Sequence, residues 1–356
     1  MMVSHCNPLV THEAVYNFHD DATGVKAVIA VHSTTLGPAA GGCRVLRYDN
    51  YASAVRDAMR LSEGMAYKNA LAGLPFGGGK AVIMLPENAD SPNFDRTLMF
   101  QTFGRWVESL KGAYVTAEDV GCSVQDMQVV AGETAYVAGL PNRPGFAGGN
   151  PAPWTAKGVF GSIQALVRHR FDSDLKDVVV GVQGLGQVGF ALCETLHQAG
   201  AKLLVSDINE QGPALAAQRF GAEVVKPDKM LSVSMEVFAP CALGNILTEE
   251  SIPQLKSAII CGAANNQLAT AMQGQQLADR GVLYAPDYLV NAGGIINVAA
   301  EYLRETTDSV ETRVAQIPNR LMQLVRRSEA ENTATNILAD RMARDIVAAG
   351  QPAKVA

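Results

Sequence analysis

Val178–Gly189 reads VVVGVQGLGQVG, and Lys202–Asp207 follows as KLLVSD. The first run is β-branched over Val178–Val182 and then breaks on glycine; the second is apolar and ends on an acid. A helical stretch after Gly186 joins them, so the segment reads as a strand–helix–strand unit. Gly184, Leu185, Gly186, Gln187, Val188 and Gly189 fit G-x-G-x-x-G. That pattern is informative only where it follows a strand and opens a helix, as it does here. Its first glycine permits a tight turn, the second lets backbone approach a pyrophosphate, and the third allows close helix–strand packing. The helix N-terminus adds amide donors and positive partial charge. Asp207, 18 residues after Gly189, is placed to bind adenosine ribose hydroxyls. No Arg or Lys follows within Asp207–Glu210, so NAD is expected rather than NADP. The alternative is a glycine turn that only packs a helix on a sheet.

Working outward, strand-like runs recur at Val237–Ala239 and Ala258–Cys261, which implies a mainly parallel sheet with covered faces. Upstream, Gly139–Pro153 (GLPNRPGFAGGNPAP) has loop composition, and a helix is expected from Thr155. Before it, Lys26–His32, Gly42–Tyr48, Lys80–Leu85 and Tyr114–Ala117 read as strands. Asn50–Ala70 reads as a helix with Ala54, Val55, Ala58, Met59, Ser62 and Met65 on one stripe. Asn93–Leu110 reads as a second, with Phe94, Leu98, Phe103 and Val107 inward. From about Asp308 the tail is helical, broken at Pro318, and ends in a polar stub.

The 356 residues are 48% hydrophobic and 18% charged, with net charge -6. This excludes disorder and suits two domains. No apolar run reaches the ~18 residues of a membrane helix, and the opening residues lack a basic start and apolar core, so no signal peptide is read. The pI of about 5.6 argues against nucleic acid as a partner. Cys6, Cys43, Cys122, Cys193, Cys241 and Cys261 form no C-x-x-C pair. Reduced thiols in the cytoplasm are therefore expected. The scattered histidines suggest no metal site.

Gly64–Ile83 (GMAYKNALAGLPFGGGKAVI) carries Lys68 and Lys80 in apolar surroundings. Three glycines before Lys80 are expected to let a substrate approach the backbone. Two ammonium groups facing one cleft would push at least one toward neutrality, leaving one lysine as general base and the other to bind a carboxylate. The alternative is a pair of surface lysines flanking a turn. Asp119, in TAEDVG (116–121), is placed for proton exchange with an amine, although taken alone it reads more readily as a helix cap.

The chain resembles the glutamate/leucine/phenylalanine/valine dehydrogenases, most closely the leucine branch. The pieces that carry this are GPAAGGCR (37–44), the two-lysine segment, TAEDVG, PAPWTAKGV (151–159), VQGLGQVG (182–189), APCALG (239–244), GAANNQL (262–268) and YAPDYLVNAGGIINV (284–298), in the family's order. The resemblance implies an α/β protein of two domains: an N-terminal α/β substrate domain and a Rossmann-type NAD-binding domain, with an active-site cleft between them. It places the first at 1–145, the second at 146–330, and the helices of 331–356 back on the first, with Gly139–Pro153 as hinge. It also implies a homo-oligomer and reversible oxidative deamination of an L-amino acid to its 2-oxo acid and ammonia.

By the same likeness Lys68 pairs with the substrate carboxylate. Lys80 activates water against the imino acid, and Asp119 shuttles protons to and from nitrogen. Gly41, Gly42 and Asn266 touch substrate, while Thr155, Ala242 and Asn265 touch cofactor. Glutamate-using members carry a lysine where this chain has Ala40, so a distal carboxylate would lie unpaired and glutamate is disfavoured. Ala117, Ile295 and Val298 match apolar pocket walls, although each is equally an ordinary core residue. Leucine members usually have Leu at the Ala40 position, so the pocket is expected to be deeper. Trp154, just before Thr155, is a second departure, bulkier than the family pattern implies. The competing substrates are phenylalanine and tryptophan. Two other classes are an NAD-binding sensor without turnover, which leaves Lys68, Lys80 and Asp119 unexplained, and a 2-hydroxy-acid dehydrogenase, which wants a His–carboxylate pair that these motifs lack.

Overall fold

A computed structural model describes residues 2–3, 12–21, 23–141 and 143–350. Cys6, Asn142 and the expected stub at 351–356 lie outside the described residues. The chain divides into two compact units. The first takes the described residues up to Gly149, then Val298–Thr307, then those from Ala343 onward; the second takes Asn150–Asn297 and Asp308–Met342. Residues 331–342, expected with the first domain, thus group with the second unit, and 298–307 group with the first.

In the first unit the strands are β1 (Met2–Val3), β2 (Ala14–His19), β3 (Lys26–Ser33), β4 (Ala39–Ala40), β5 (Cys43–Leu46), β6 (Gly77–Met84) and β7 (Tyr114–Val115). They form one mixed sheet in the order β1-β2-β3-β6-β4-β7, with β5 also on β6. β3 runs antiparallel to β6, whereas β4 and β5 run parallel to it. The parallel sheet read from strand–helix alternation therefore does not extend to this unit. β4 and β5 amount to one strand interrupted at Gly41–Gly42. The backbone of 114–120 runs along its other side, through Gly41 N to Val115 O, Cys43 N to Ala117 O and Val45 N to Val120 O.

Helix α1 (Tyr51–Ala72) starts where the Asn50 side chain accepts from Ser53 N at 2.9 Å and ends at Gly73, φ +67°. Its buried stripe of Ala54, Ala58, Ser62 and Ala66 is small enough to lie close on β6. There, a Cβ on Gly78 would fall 2.4 Å from Ala66 Cβ, one on Gly77 1.8 Å from Ser33 O, and one on Gly79 2.6 Å from the Tyr114 ring. The expectation that these glycines open the backbone to a substrate is thus corrected. Protein atoms fill the space, and the glycines serve close packing.

Helix α2 (Arg96–Ser109) and helix α3 (Val124–Ala131) belong with the opposite side of the sheet. Met99, Phe100, Phe103 and Val107 are buried in a cluster with Ala39, Cys43, Ala81, Ile83 and Tyr114. Leu98, expected inward, is 38% exposed. The helix begins after the Asp95 cap, which takes Leu98 N at 2.8 Å. Leu98 lies about 140° round the helix from Phe103 and about 180° from Val107, so it faces away from their buried side.

The second unit holds α4 (Ala152–Phe171), β8 (Val179–Gln183), α5 (Gln187–Gln198), β9 (Lys202–Ser206), α6 (Gln211–Phe220), β10 (Glu223–Val224), β11 (Val237–Pro240), β12 (Ile259–Ile260), α7 (Met272–Asp279), β13 (Leu283–Tyr284) and α8 (Asp287–Val290). Helix α9 (Gly293–Tyr302) starts here and ends in the first unit. Helices α10 (Thr307–Val314), α11 (Ile317–Glu331) and α12 (Thr335–Ala349) complete the chain. The sheet runs β10-β9-β8-β11-β12-β13 with every pair parallel. That is the 3-2-1-4-5-6 order of a dinucleotide-binding fold, whose strand order reverses between β8 and β11. α4 starts at Ala152, earlier than the expected Thr155, because Pro153 in the first turn needs no amide partner.

Candidate active site

In the first unit, strand pairing places the chemistry. Ala40 pairs with Gly78 and Val115, Cys43 with Ala81 and Glu118. Residues paired across a parallel ladder share a face, and alternate residues along a strand do as well. Lys80, Ala40, Gly42, Arg44, Ala117 and Asp119 therefore lie on the α1 face of the sheet, and α1 itself carries Lys68, which is half-buried. A Cβ on Gly42 would lie 2.8 Å from Asp119 Cβ, and one on Gly41 1.8 Å from Gly79 O, so neither position admits a side chain.

Lys80, 5% exposed, places Nζ 2.7 Å from Asp119 Oδ2. The same oxygen accepts from Arg44 Nε at 3.1 Å, and Arg44 Nη1 donates to Asp57 Oδ2 at 3.1 Å. Asp57 also accepts from Tyr48 OH at 2.7 Å and from Arg60 Nη2 at 2.9 Å. Burial pushes the Asp119 carboxyl up, but the charges and hydrogen bonds of Lys80 and Arg44 outweigh it and hold the group below the usual carboxylate range. Asp119 is therefore an ion-pair acceptor; the reading as a helix cap is replaced, since α3 is capped by Ser123.

In the second unit the glycine motif sits at the strand-order reversal. Gly184 has φ +97°, and a Cβ there would lie 2.6 Å from Ala242 Cβ. A Cβ on Gly189 would lie 1.9 Å from Gly184 O, which is the close helix–strand contact the third glycine is needed for. Gly186 meets nothing within 4 Å and leads into α5 without a side-chain cap. The open backbone and uncapped helix N-terminus fit a pyrophosphate. Leu185 is buried, Val188 half-buried and Gln187 exposed. Asp207 Oδ2 accepts from Leu185 N at 2.6 Å and Oδ1 from Asn209 N at 2.8 Å, so this acid braces the glycine loop. Thr155 is half-buried on α4, and its Oγ1 would lie 2.8 Å from a Cβ on Gly294. Asn265 and Asn266 are exposed, Asn266 at φ +52°. Ile295 and Val298 are half-buried on α9, Val298 at the point where the chain passes to the first unit.

Two family models match the chain: the Glu/Leu/Phe/Val dehydrogenase dimerisation domain over residues 12–136, and Glutamate/Leucine/Phenylalanine/Valine dehydrogenase over 205–349. The chain belongs to the Glu/Leu/Phe/Val dehydrogenase family. It is 44% identical to a leucine dehydrogenase of Geobacillus stearothermophilus over 94% of this chain and 90% of that one. A valine dehydrogenase of Streptomyces albus is 42% identical over 95% and 92%. The crystal structure of L-tryptophan dehydrogenase from Nostoc punctiforme superimposes with a TM-score of 0.84 at 40% identity, covering 96% of this chain and 97% of that one. The protein is thus an amino-acid dehydrogenase of a two-domain, nicotinamide-dinucleotide-dependent family, with a Rossmann-type second domain.

For a dehydrogenase of this family, several groups around the site escaped sequence reading. Arg44 stands inside the quoted GPAAGGCR, but its partners Asp57 and Asp119 are distant in sequence. Asn291 donates to Asn265 Oδ1 at 2.8 Å and to Ala263 O at 3.1 Å, orienting a predicted cofactor residue. Glu301 accepts from Gly139 N at 2.8 Å and Leu140 N at 3.1 Å, and Ala147 N donates to Glu305 O, so the Gly139–Pro153 loop is tethered at its start and middle. Among the described residues no group of three or more His, Cys, Asp or Glu gathers as a metal cage, and no helix is long and apolar enough to cross a membrane.

Proposed function

We propose that this enzyme catalyses NAD-dependent, reversible oxidative deamination of an apolar L-amino acid, leucine or another branched-chain residue, to its 2-oxo acid and ammonia. The observation that carries this is the buried Lys80–Asp119 pair on the same sheet face as Ala40, where the side-chain position offers no cation. Lys68 is assigned the substrate carboxylate. Asp119, held ionised, takes a proton from the substrate ammonium, which frees the nitrogen lone pair. When bound, NAD supplies a hydride acceptor for the α-carbon. Lys80, in its unprotonated form, then takes a proton from the water that adds to the imine carbon. Asp119 returns its proton to the nitrogen of the resulting carbinolamine, and ammonia leaves as the hydroxyl gives up its proton to solvent and becomes the carbonyl of the 2-oxo acid. Gly41, Gly42 and Asn266 are assigned to the substrate, and Ala40, Ala117, Ile295 and Val298 to its apolar side chain.

Gly184–Gly189, Asp207, Thr155, Ala242 and Asn265 are assigned to the cofactor. Asp207, with no Arg or Lys before Gln211, favours a free 2'-hydroxyl over a 2'-phosphate. A homo-oligomer fits this reading, and the free thiols of Cys43, Cys122, Cys193, Cys241 and Cys261 fit a cytoplasmic setting.

Ala40 favours one second reading, an aromatic substrate, because a methyl leaves more room than a leucine side chain. The tryptophan dehydrogenase relative gives it further support. The test follows NADH formation with L-leucine, L-phenylalanine, L-tryptophan and L-glutamate. Highest kcat/KM on leucine supports the aliphatic reading. Highest kcat/KM on an aromatic amino acid replaces it, and turnover of glutamate alone removes both.

A further inference from the structure

Arg44 touches Asp119 but was given no role by the motif it stands in. Its guanidinium bridges two carboxylates with separate N–H groups, Nε on Asp119 Oδ2 and Nη1 on Asp57 Oδ2. Asp57 is in turn fixed by Tyr48 OH and Arg60. Side-chain exposures of 20% for Arg44 and 18% for Asp57 place this bridge out of bulk water, where such contacts hold geometry. Both Lys80 and Arg44 converge on Oδ2 of Asp119; among the described residues nothing hydrogen-bonds its Oδ1. A carboxylate pinned through one oxygen presents the other in a fixed direction.

We propose that Arg44, clamped by Asp57, is a positioning residue for the amino-acid dehydrogenase reaction: it orients Asp119 so that Oδ1 meets the substrate nitrogen. This rests on the reading of Asp119 as the group that exchanges protons with that nitrogen. The groups facing Asp119 are Lys80 from β6, Arg44 and Cys43 from β5, and Tyr114 from β7, with Asp57 of α1 behind Arg44. Lys80 and Arg44 are the cations that hydrogen-bond it, and Lys68 is carried by α1 on the same face. Without Arg44, burial is opposed by one hydrogen-bonded cation fewer, and the carboxylate takes up its proton at higher pH.

The test is a pH profile of kcat/KM for deamination in the full-length enzyme, wild type against Arg44→Gln, Arg44→Lys, Asp57→Asn and Asp119→Asn. Arg44→Gln should lower kcat/KM on the order of tenfold to a hundredfold, as misplacement of a reacting group does, and move the acid limb to higher pH. Arg44→Lys keeps the charge but not the two-armed bridge; it should return the limb towards wild type while kcat stays low. Asp57→Asn loosens Arg44 without touching Asp119 and should lower kcat more than it raises KM. Asp119→Asn should abolish the lower, carboxylate limb and leave only the limb of Lys80, which as base must also be unprotonated. A carboxylate limb that persists in Asp119→Asn overturns the reading of Asp119 and the proposal with it. Loss of the limb in Asp119→Asn, with an unmoved limb in Arg44→Gln, overturns the role of Arg44 alone. Should Arg44→Gln fail to fold, an unchanged kcat in Asp57→Asn overturns it as well.

Discussion

Cutting the Lys80–Asp119 pair from its two sides should have unequal costs. Lys80 is 5% exposed, and Asp119 is its hydrogen-bond partner. Asp119→Ala therefore strands an ammonium in a nearly dry site, a situation that costs about 3–5 kcal/mol. Lys80→Met removes the other partner, yet Asp119 retains Arg44 at 3.1 Å. Methionine also replaces most of the lysine stem, so about 1 kcal/mol is expected. In the double variant no buried charge is stranded, and the cost should fall back to about 1 kcal/mol. At 2–4 °C per kcal/mol for a domain of this size, Asp119→Ala should melt roughly 6–20 °C below wild type, and Lys80→Met and the double variant roughly 2–4 °C below. Calorimetry with parallel urea titrations measures all four corners of the cycle. Equal losses from the two single changes, or a double variant that simply sums them, would refute the argument that Lys80 depends on Asp119 more than Asp119 depends on Lys80.

Four further outcomes follow from the same geometry. Gly78→Ala should destabilise the protein by about 1–3 kcal/mol by urea unfolding, since its Cβ would meet Ala66 Cβ at 2.4 Å; an unchanged midpoint contradicts the packing assigned to α1. Ala40→Leu should cut kcat/KM for phenylalanine more than for leucine, and equal losses would take Ala40 out of the pocket wall. Asp207→Ser should weaken NAD binding in a calorimetric titration without matching gain for NADP, because the acid also holds Leu185 N at 2.6 Å; a clean exchange of preference would limit Asp207 to reading the ribose. Acid should destabilise the first unit through Asp57 and Asp119. Both fold with lowered carboxyls, so their stabilisation is complete above the unfolded value of about 3.9 and is lost as pH falls through the folded values. Melting curves from pH 6 to pH 2 should show that loss shrink in Asp57→Asn, and the same slope in both proteins would count against it.

The dinucleotide half was legible because its signals are local. A β-branched strand, a glycine turn and a helix follow one another within Val178–Gln198, as β8 and α5 do in the fold. Lys80 stands out as a lysine at the head of an apolar strand, whereas Asp119 alone reads as a helix cap and is singled out through the family's motif. What escaped depended on partners remote in sequence. Gly77–Gly79 look open until α1 and Tyr114 are laid against them, and Arg44 looks like a surface cation until Asp57 and Asp119 arrive on either side. The sequence stripe groups Leu98 with Phe103 and Val107, from which it lies about 140° and 180° round the helix, so the buried side takes Met99 and Phe100 instead.

The glycine run that lets α1 settle on β6 also limits how this gene can change length. Lys80 faces α1, whereas Ala81 and Ile83 face the layer of Met99, Phe100 and Phe103. Losing or gaining one residue within Gly77–Gly79, with the pairing to β3 kept, would swing the ammonium into that aromatic layer and turn Ala81 toward the site. Losing or gaining two would restore its side. Insertions and deletions here should therefore survive in even steps or not at all.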